Sequence, residues 1–374
     1  MRHFKLLFII LGILGGCGQV FASPQEKFER IFDINNKMAD YKVPAVSIAV
    51  IHKGRLDWSK AYGMAQPNLE ANKYTRFQAC SISKPVSALS VLKLVDQEML
   101  SLDHDINNFL SQWKIPYTSD FPKKTPVTIR NLLNHTAGFA TGRRPMYPLG
   151  SELPNTLQIL RGEPPALSEK AALQFTPGSK WQYSGLGYII LQELLEEKYG
   201  ESYNKLADAL ILTPLKMENS SFTYPVPQEL QIKLAYGYNE HGLKMEHPYY
   251  NIADLMAGGL WTTSEDLAKF IIEIQSAMTN DGNIILSQNM VMEMLKENKN
   301  NFGLGLKIGE INGQKWFAHG GDNAGYKALL FGFTNSKEGV VILTNSDNGW
   351  DLCLEILRTI GELYNWPKPL PQSF

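Results

Sequence analysis

Apolar residues recur at helical spacing over residues 86–100, directly after the short segment 77–85. The positions that carry the pattern are Val86, Leu89, Leu92, Val95 and Leu100. This spacing predicts a helix with one buried face, and Pro85 suits its first turn, where a missing N–H costs no helical hydrogen bond. Ser81 and Lys84 are therefore predicted to lie one turn apart on the same side of the chain.

Strand patterns occur near both ends of the chain, and helical patterns fill the middle. The β-prone runs cover residues 43–51, 56–62, 316–319, 326–333 and 339–344. Helical patterns cover residues 24–40, 127–133, 188–199, 203–212, 287–297 and 351–364, and one more helix begins near residue 264. Because the first two runs need strand partners and only the last three are available, we predict one sheet built from both chain ends.

The fold class that follows is α+β. We expect an αβα sandwich with an antiparallel sheet formed from both chain ends, plus an inserted, mainly helical region. Residues 23–374 would form a single domain. Its sheet subdomain would comprise about residues 24–76 and 255–374, and its helical subdomain about residues 77–254.

The composition excludes some classes of function. The chain has 374 residues, of which 44% are hydrophobic and 20% charged, and its formal net charge is −1. These values are typical of a soluble globular protein, and no basic block indicates nucleic-acid binding. The three cysteines are too few for a disulfide framework, and the spacing of cysteines and histidines matches no metal site. We expect a monomer without metal or cofactor.

Residues 1–22 have the pattern of a signal peptide, with a basic start and a short apolar core. The core is too short to span a bilayer as a stable anchor. Two processing sites fit the pattern, and we prefer cleavage after Ala22, which predicts a periplasmic or secreted protein. The alternative is a lipoprotein signal in which Cys17 is acylated, and only then would the protein be held at a membrane.

Ser81 and Lys84 are candidates for a nucleophile and its base. A serine hydroxyl is a weak nucleophile that needs a nearby base, and a lysine can serve if burial and neighbouring charge lower its pKa. The spacing alone is weak, because S-x-x-K occurs four times and an isolated copy is more often a pair of surface residues. The copy at Ser90 and Lys93, for example, is expected on the polar face of the same helix.

Two further clusters strengthen the candidate. One is Y-S-G at 183–185, after a Pro-Gly turn, and the other is H-G-G-D at 319–322, at the end of a strand. With S-I-S-K at 81–84 they resemble the serine-active-site β-lactamase and penicillin-binding-protein family, and most closely the class C β-lactamases with their esterase and D-peptidase relatives. The resemblance covers about residues 25–365.

The resemblance implies a role for each cluster. Ser81 would be the acylated nucleophile, and Lys84 would accept or relay its proton. Tyr183 would act as a base and later pass a proton to the leaving group. An ordinary tyrosine, with a pKa of about 10, is a poor base unless cations stabilise its phenolate, and Lys84 is the obvious cation.

The third cluster departs from the usual family pattern, because His319 stands where many members have the lysine of K-T-G. The resemblance implies that His319 hydrogen-bonds the tyrosine or a substrate carboxylate. Gly320 and Gly321 would let the substrate backbone lie along the strand edge. The backbone N–H groups of Ser81 and Asp322 would form the oxyanion hole.

The second cluster also departs from the pattern, since Gly185 stands in the substrate-binding position of the usual asparagine of Tyr-x-Asn. This tilts the expectation toward an exported hydrolase that acts through an acyl-enzyme on a β-lactam, a D-amino-acid peptide or an ester. The alternative is a penicillin-binding or peptidoglycan-sensing module with little or no turnover. A G-x-S-x-G α/β-hydrolase is disfavoured because Gln182, not glycine, lies two residues before Ser184.

Overall fold

The computed structural model describes residues 22–140 and 145–373. The described strands are β1 (Ala45–His52), β2 (Arg55–Gln66), β3 (Leu69–Glu70), β4 (Phe77–Gln78), β5 (Trp261–Thr262), β6 (Lys307–Ile311), β7 (Gln314–Asn323), β8 (Tyr326–Phe333) and β9 (Gly339–Thr344). The predicted signal peptide, including Cys17, falls almost wholly outside the described residues.

The helices lie mainly between β3 and β6 in the sequence. Within the described residues they are α1 (Pro24–Ile31), α2 (Ile34–Asp40), α3 (Ser83–Asp96), α4 (Ile129–Leu133), α5 (Thr156–Arg161), α6 (Leu186–Tyr199), α7 (Tyr203–Ala207), α8 (Gln228–Gln231), α9 (Leu255–Gly258), α10 (Ser264–Met278), α11 (Gln288–Met294) and α12 (Gly349–Leu363). None of them is long and apolar enough to span a bilayer.

One antiparallel sheet joins the two ends of the chain. Its strand order is β3-β2-β1-β9-β8-β7-β6, and β1 pairs with the N-terminal β2 on one side and the C-terminal β9 on the other. The predicted α+β class and the antiparallel sheet from both chain ends are confirmed. The predicted bounds of the last two strands, 326–333 and 339–344, coincide with β8 and β9.

Strand β1 shows why the sheet has helices on both faces. Its side chains alternate between two hydrophobic clusters: Val46, Ile48 and Val50 belong to one, and Ala45, Ala49 and Ile51 to the other. A strand that is buried on both faces has a nearly continuous apolar sequence. Helices α1 and α12 cover the first face, and α10 covers the second, which gives the αβα layering.

Helix α3 differs from its prediction. The spacing indicated one buried face, but residues 82–92 are all buried, because α6, α9 and the turn Asp208–Leu212 pack against the helix. Ser90 is fully buried and its hydroxyl donates to the carbonyl of Ser87 at 2.6 Å. Placing Ser90 on a polar face was therefore wrong.

Three other predicted elements have different bounds. The helix predicted over 24–40 is interrupted at Phe32 and Asp33, where the Asp33 side chain accepts from the backbone N–H of Asn36 and caps α2. The helix predicted over 203–212 ends in a π-helical turn, Asp208–Leu212. Strand β6 was not predicted at all, and it leads into β7, which is longer than the predicted run 316–319.

Candidate active site

Ser81 and Lys84 meet at the beginning of α3. Ser81 lies in a 3₁₀ turn, Cys80–Ile82, that runs directly into the helix. The Lys84 ammonium donates to the Ser81 hydroxyl oxygen, with 3.1 Å between Nζ and Oγ. Ser81 is the partly exposed residue of this segment, whereas Lys84 is only 2% exposed. The i, i+3 spacing thus places an accessible hydroxyl against a buried amine.

Lys84 is held in place by its other neighbours. Its Nζ atom donates to the carbonyl oxygen of Ala257 at 2.6 Å. The same atom lies 5.0 Å from the ring centroid of Tyr183 and 5.8 Å from that of Tyr188, distances at which an aromatic face attracts a cation. The predicted nucleophile, amine and phenol therefore share one site.

His135 orders the segment that carries Tyr183. Its backbone carbonyl accepts from the N–H of Gln182 at 2.8 Å, and its Nδ1 atom accepts from the N–H of Ser184 at 3.2 Å. The imidazole packs against the Tyr183 ring with 4.3 Å between centroids. Burial, with help from the charge of Lys84, lowers the pKa of His135 well below its ordinary value. His135 was not among the site residues predicted from the sequence, and only the folded chain shows its contact with Tyr183.

His319 faces the same cleft as a neutral imidazole. Its Nδ1 atom donates to the carbonyl of Gly320 at 2.6 Å, which leaves Nε2 as an acceptor. Nε2 is buried and has no hydrogen-bond partner among the described residues. Burial and then the Lys84 charge lower the pKa of His319 to about 3, against an opposing effect of the Gly320 carbonyl. Its ring centroid lies 6.2 Å from that of Tyr183.

The strand that carries His319 has an open edge. Strand β6 pairs with residues 314–318 of β7, so that among the described strands residues 319–323 pair with β8 alone. Of the two glycines predicted to face substrate, Gly320 is partly exposed, but Gly321 packs against the turn that carries Ser81. A Cβ atom at Gly321 would lie 2.4 Å from the Ala79 carbonyl oxygen, so this glycine is required for packing.

The cleft has two lobes that meet at the nucleophile. The larger lobe has a volume of about 620 Å³ and the smaller about 230 Å³, and Ser81, Tyr183 and Asp322 border both. The other predicted site residues divide between them. His319, Gly320 and Gly321 border the larger lobe, and Lys84 and Gly185 the smaller. The Asp322 carboxylate accepts from Lys327 at 2.9 Å.

Eight of the residues that border the larger lobe were not predicted from the sequence, and four of them define its chemistry. Trp181, Phe302 and Trp350 give it aromatic walls, and Lys307 adds an ammonium. Trp181 lies two residues before Tyr183, and this closeness in sequence was the one feature from which its place in the site could have been predicted. Phe302, Lys307 and Trp350 are distant from every motif in sequence, so that only the folded chain places them here.

The family model for beta-lactamase matches residues 33–358. The chain belongs to the beta-lactamase family. This confirms the resemblance drawn from the three clusters.

Curated relatives of this beta-lactamase-family chain are distant. Protein flp of Staphylococcus aureus (strain N315) is 23% identical over 252 residues, which cover 66% of this chain and 48% of that protein. A teichoic acid D-alanine hydrolase of Staphylococcus aureus is 24% identical over 261 residues, 69% of this chain and 60% of that protein. The chain thus spans about half the length of the first relatives that it matches.

Solved structures share the fold over most of their length. A penicillin-binding protein homologue from Pyrococcus abyssi has a TM-score of 0.68 and 25% identity, covering 90% of this chain and 78% of that one. A D-amino acid amidase from Ochrobactrum anthropi SV3 has a TM-score of 0.71 and 19% identity, covering 91% and 99%. At 19% identity, the second comparison speaks for the fold alone.

Proposed function

We propose that this protein hydrolyses an ester or amide of a small acyl group, in particular a D-amino-acyl group, through a covalent acyl-enzyme on Ser81. The observation that carries the proposal is the contact of 3.1 Å between Lys84 Nζ and Ser81 Oγ in a cleft that also contains Tyr183. A serine hydroxyl beside a buried amine and a phenol is the arrangement that nucleophilic catalysis requires.

The reaction follows from these positions. The Ser81 oxygen forms a bond to the substrate carbonyl carbon while its proton passes to a Tyr183 phenolate, either directly or through the Lys84 ammonium, which gives one proton to Tyr183 as it takes one from Ser81. The carbonyl becomes an oxyanion, for which the backbone N–H groups of Ser81 and Asp322 are the proposed donors. The bond to the leaving group then breaks, the leaving group takes the proton, and water later cleaves the acyl ester at Ser81.

Two considerations favour D-amino-acyl substrates. The name of one relative describes hydrolysis at D-alanine, and that relative aligns over 69% of this chain. In addition, Gly185 stands where the family's usual amide side chain would contact a β-lactam substrate. We therefore place simple esters and amides ahead of β-lactams as substrates.

A pair of reagents tests this proposal. Purified protein is incubated with a chromogenic D-alanyl ester and, separately, with a fluorescent penicillin. We expect steady ester turnover that falls at least about 1,000-fold in Ser81→Ala, because removing a nucleophile removes the covalent route. Stable labelling by the penicillin without ester turnover would contradict the proposal and favour a penicillin-binding or sensing module.

The cellular location is part of the same proposal. We propose that residues 1–22 direct export, since a D-amino-acyl substrate of the bacterial envelope lies outside the cytoplasm. Fractionation of cells that produce the full chain tests this, with a variant that lacks the basic start as the control. Retention of the unprocessed full chain in the cytoplasm would contradict it.

A further inference from the structure

The two lobes of the cleft differ in size and in chemistry. The smaller lobe, about 230 Å³, lies below the range of about 300–1,000 Å³ that is usual for pockets holding larger ligands, whereas the larger lobe, about 620 Å³, lies within it. Because Ser81 borders both, a substrate attacked there places its acyl group in one lobe and its leaving group in the other.

The polar groups beside Ser81 indicate which lobe takes the leaving group. Tyr183 borders both lobes, but His319, whose ring lies beside it, borders the larger lobe and not the smaller. The acceptor Nε2 of His319 can receive a hydrogen bond from the leaving group on that side once Tyr183 has protonated it. A leaving group that must be protonated as its bond breaks is therefore best placed in the larger lobe, and the acyl group in the smaller.

The larger lobe also contains a cation suited to an anion. The Lys307 ammonium is half-buried, its nearest polar contact is the carbonyl oxygen of Ser373 at 2.9 Å, and no carboxylate lies within ion-pair distance among the described residues. The other charged side chain that borders this lobe, Asp322, is already paired with Lys327. A half-buried ammonium that no carboxylate of the described residues neutralises favours an anionic ligand.

His319 cannot supply this contact. Binding an anion through its free ring nitrogen would require a proton on Nε2, while Nδ1 already donates to the Gly320 carbonyl. Both nitrogens would then carry protons, and the buried site with Lys84 nearby opposes that charge. The role of anion binding therefore passes from the family's motif position to Lys307.

We propose that the substrate joins a small acyl group to a larger, anionic leaving group, and that Lys307 binds the anion. This inference rests on the proposed hydrolase function and names the substrate class of that site. The aromatic walls formed by Trp181, Phe302 and Trp350 provide apolar surface for the rest of the leaving group. The anion is a carboxylate or a phosphate, since an ammonium binds either.

Matched esters test the charge of the leaving group. The acetate esters of 3-hydroxybenzoate and 3-hydroxybenzamide have the same size and differ in charge, and release of the phenol is followed for each. We expect kcat/KM to be about tenfold higher for the benzoate, because one hydrogen bond to a charged group contributes about that factor. The acetate ester of 3-hydroxyphenyl phosphate is measured in the same way. A kcat/KM above that of the benzoate indicates that the site prefers a phosphate, and a kcat/KM below it indicates that the site prefers a carboxylate.

Variants assign the preference to one side chain. Lys307→Gln should bring the benzoate-to-benzamide ratio close to one, whereas Lys307→Arg should keep most of it. Lys315→Gln is the matched control, because Lys315 is exposed and borders a different cavity, and it should keep the full ratio. An unchanged ratio in Lys307→Gln, or an equal loss in Lys315→Gln, would overturn the assignment.

Chain length tests the size of the acyl lobe. The octanoate ester of 3-hydroxybenzoate should have a kcat/KM at least about tenfold below that of the acetate, because its tail exceeds the smaller lobe. Equal or faster cleavage of the octanoate would overturn the orientation. Turnover that depends on Ser81 but shows neither preference overturns this inference and leaves the hydrolase function standing. Absence of all ester turnover removes both.

Discussion

Replacing His319 by asparagine should remove a specific part of the protein's sensitivity to acid. In the folded protein, burial lowers the pKa of His319 to about 3, with a further contribution from the Lys84 charge. In the unfolded chain the same imidazole has a pKa near 6.5. Between these two values the unfolded state binds the proton and the folded state does not, so that acid favours unfolding.

The size of the effect follows from the difference between the two pKa values. One pKa unit corresponds to 1.36 kcal/mol, so a shift of roughly 3.5 units corresponds to about 5 kcal/mol over the whole range. This stabilisation is fully present above pH 6.5 and is lost as the pH falls toward 3. At pH 5, roughly 1.5 units below the unfolded value, His319 alone should cost about 2 kcal/mol.

Urea unfolding at pH 7.5 and pH 5.0 measures this cost. The free energy of unfolding of the wild-type protein should fall by about 2 kcal/mol more than that of His319→Asn between these two pH values. Comparing the two differences cancels the packing lost by the substitution. His135, whose pKa is lowered chiefly by burial and the Lys84 charge, is present in both proteins, so that most of its contribution cancels.

A matched control replaces His241, whose side chain is 71% exposed, by asparagine. Its surroundings change little on unfolding, and the difference between the two pH values should stay that of the wild type. If His319→Asn and the wild type lose the same free energy within about 0.5 kcal/mol, His319 is not held neutral by burial. The assignment of Nε2 as an acceptor would then be wrong.

Three further predictions concern the site and its surroundings. Gly321→Ala should lower kcat more than tenfold, because a Cβ atom there would lie 2.4 Å from the carbonyl oxygen of Ala79. At Gly258 a Cβ atom would meet no atom closer than 3.9 Å, so the kcat of Gly258→Ala should stay near that of the wild type. Lys84→Met, which keeps most of the side-chain volume, should lower kcat at least 100-fold while the folded protein persists by circular dichroism. Burial and then the neighbouring glutamates raise the pKa of Glu193 to about 8, so that wild-type stability falls as pH rises from about 4.5 to 8. The free energy of unfolding of Glu193→Gln should therefore gain about 1–2 kcal/mol relative to wild type between pH 5 and 8.5, a value reduced for solvent screening around this cluster. An unchanged difference between the two proteins in urea unfolding would contradict this prediction.

The fold was predictable where local pattern and tertiary burial agree. Strands β8 and β9 are short apolar runs between turns, and no competing helical pattern exists there. Strand β6 was missed although a signal was present, since Asn312-Gly313 separates two β-prone runs, and Asn-Gly is a strong two-residue hairpin signal. The pairing of Ile311 with Gln314 shows that these two residues form that turn.

The burial of α3 was not predictable from its own sequence. Helical periodicity describes which residues share a face, but it does not say whether a second layer covers the opposite face. Ser87 and Ser90 are polar by type, yet Ser90 is buried with its hydroxyl bonded to the carbonyl of Ser87 one turn earlier. The packing of α6, α9 and the turn Asp208–Leu212 against α3 explains why both are enclosed.

In the active site, too, the residue types could be predicted from the sequence, but their surroundings in the fold could not. Residue types with unusual local context identified Ser81, Lys84, Tyr183 and His319, and the fold brings them to one cleft. The charge state of His319 depends instead on depth and on the nearby ammonium of Lys84, which sequence spacing does not encode.

Because His319 is neutral, anion binding in the cleft requires another side chain. A lysine at the position of His319 would bring a second ammonium close to Lys84 and could bind both the tyrosine and a substrate anion. The neutral imidazole can accept a hydrogen bond but carries no charge for an anion. Lys307, which pairs in the sheet with Ala318, one residue before His319, supplies an ammonium at the adjacent position. Acceptance of a hydrogen bond and anion binding thus fall on separate side chains, so that each should be removable by substitution without removing the other.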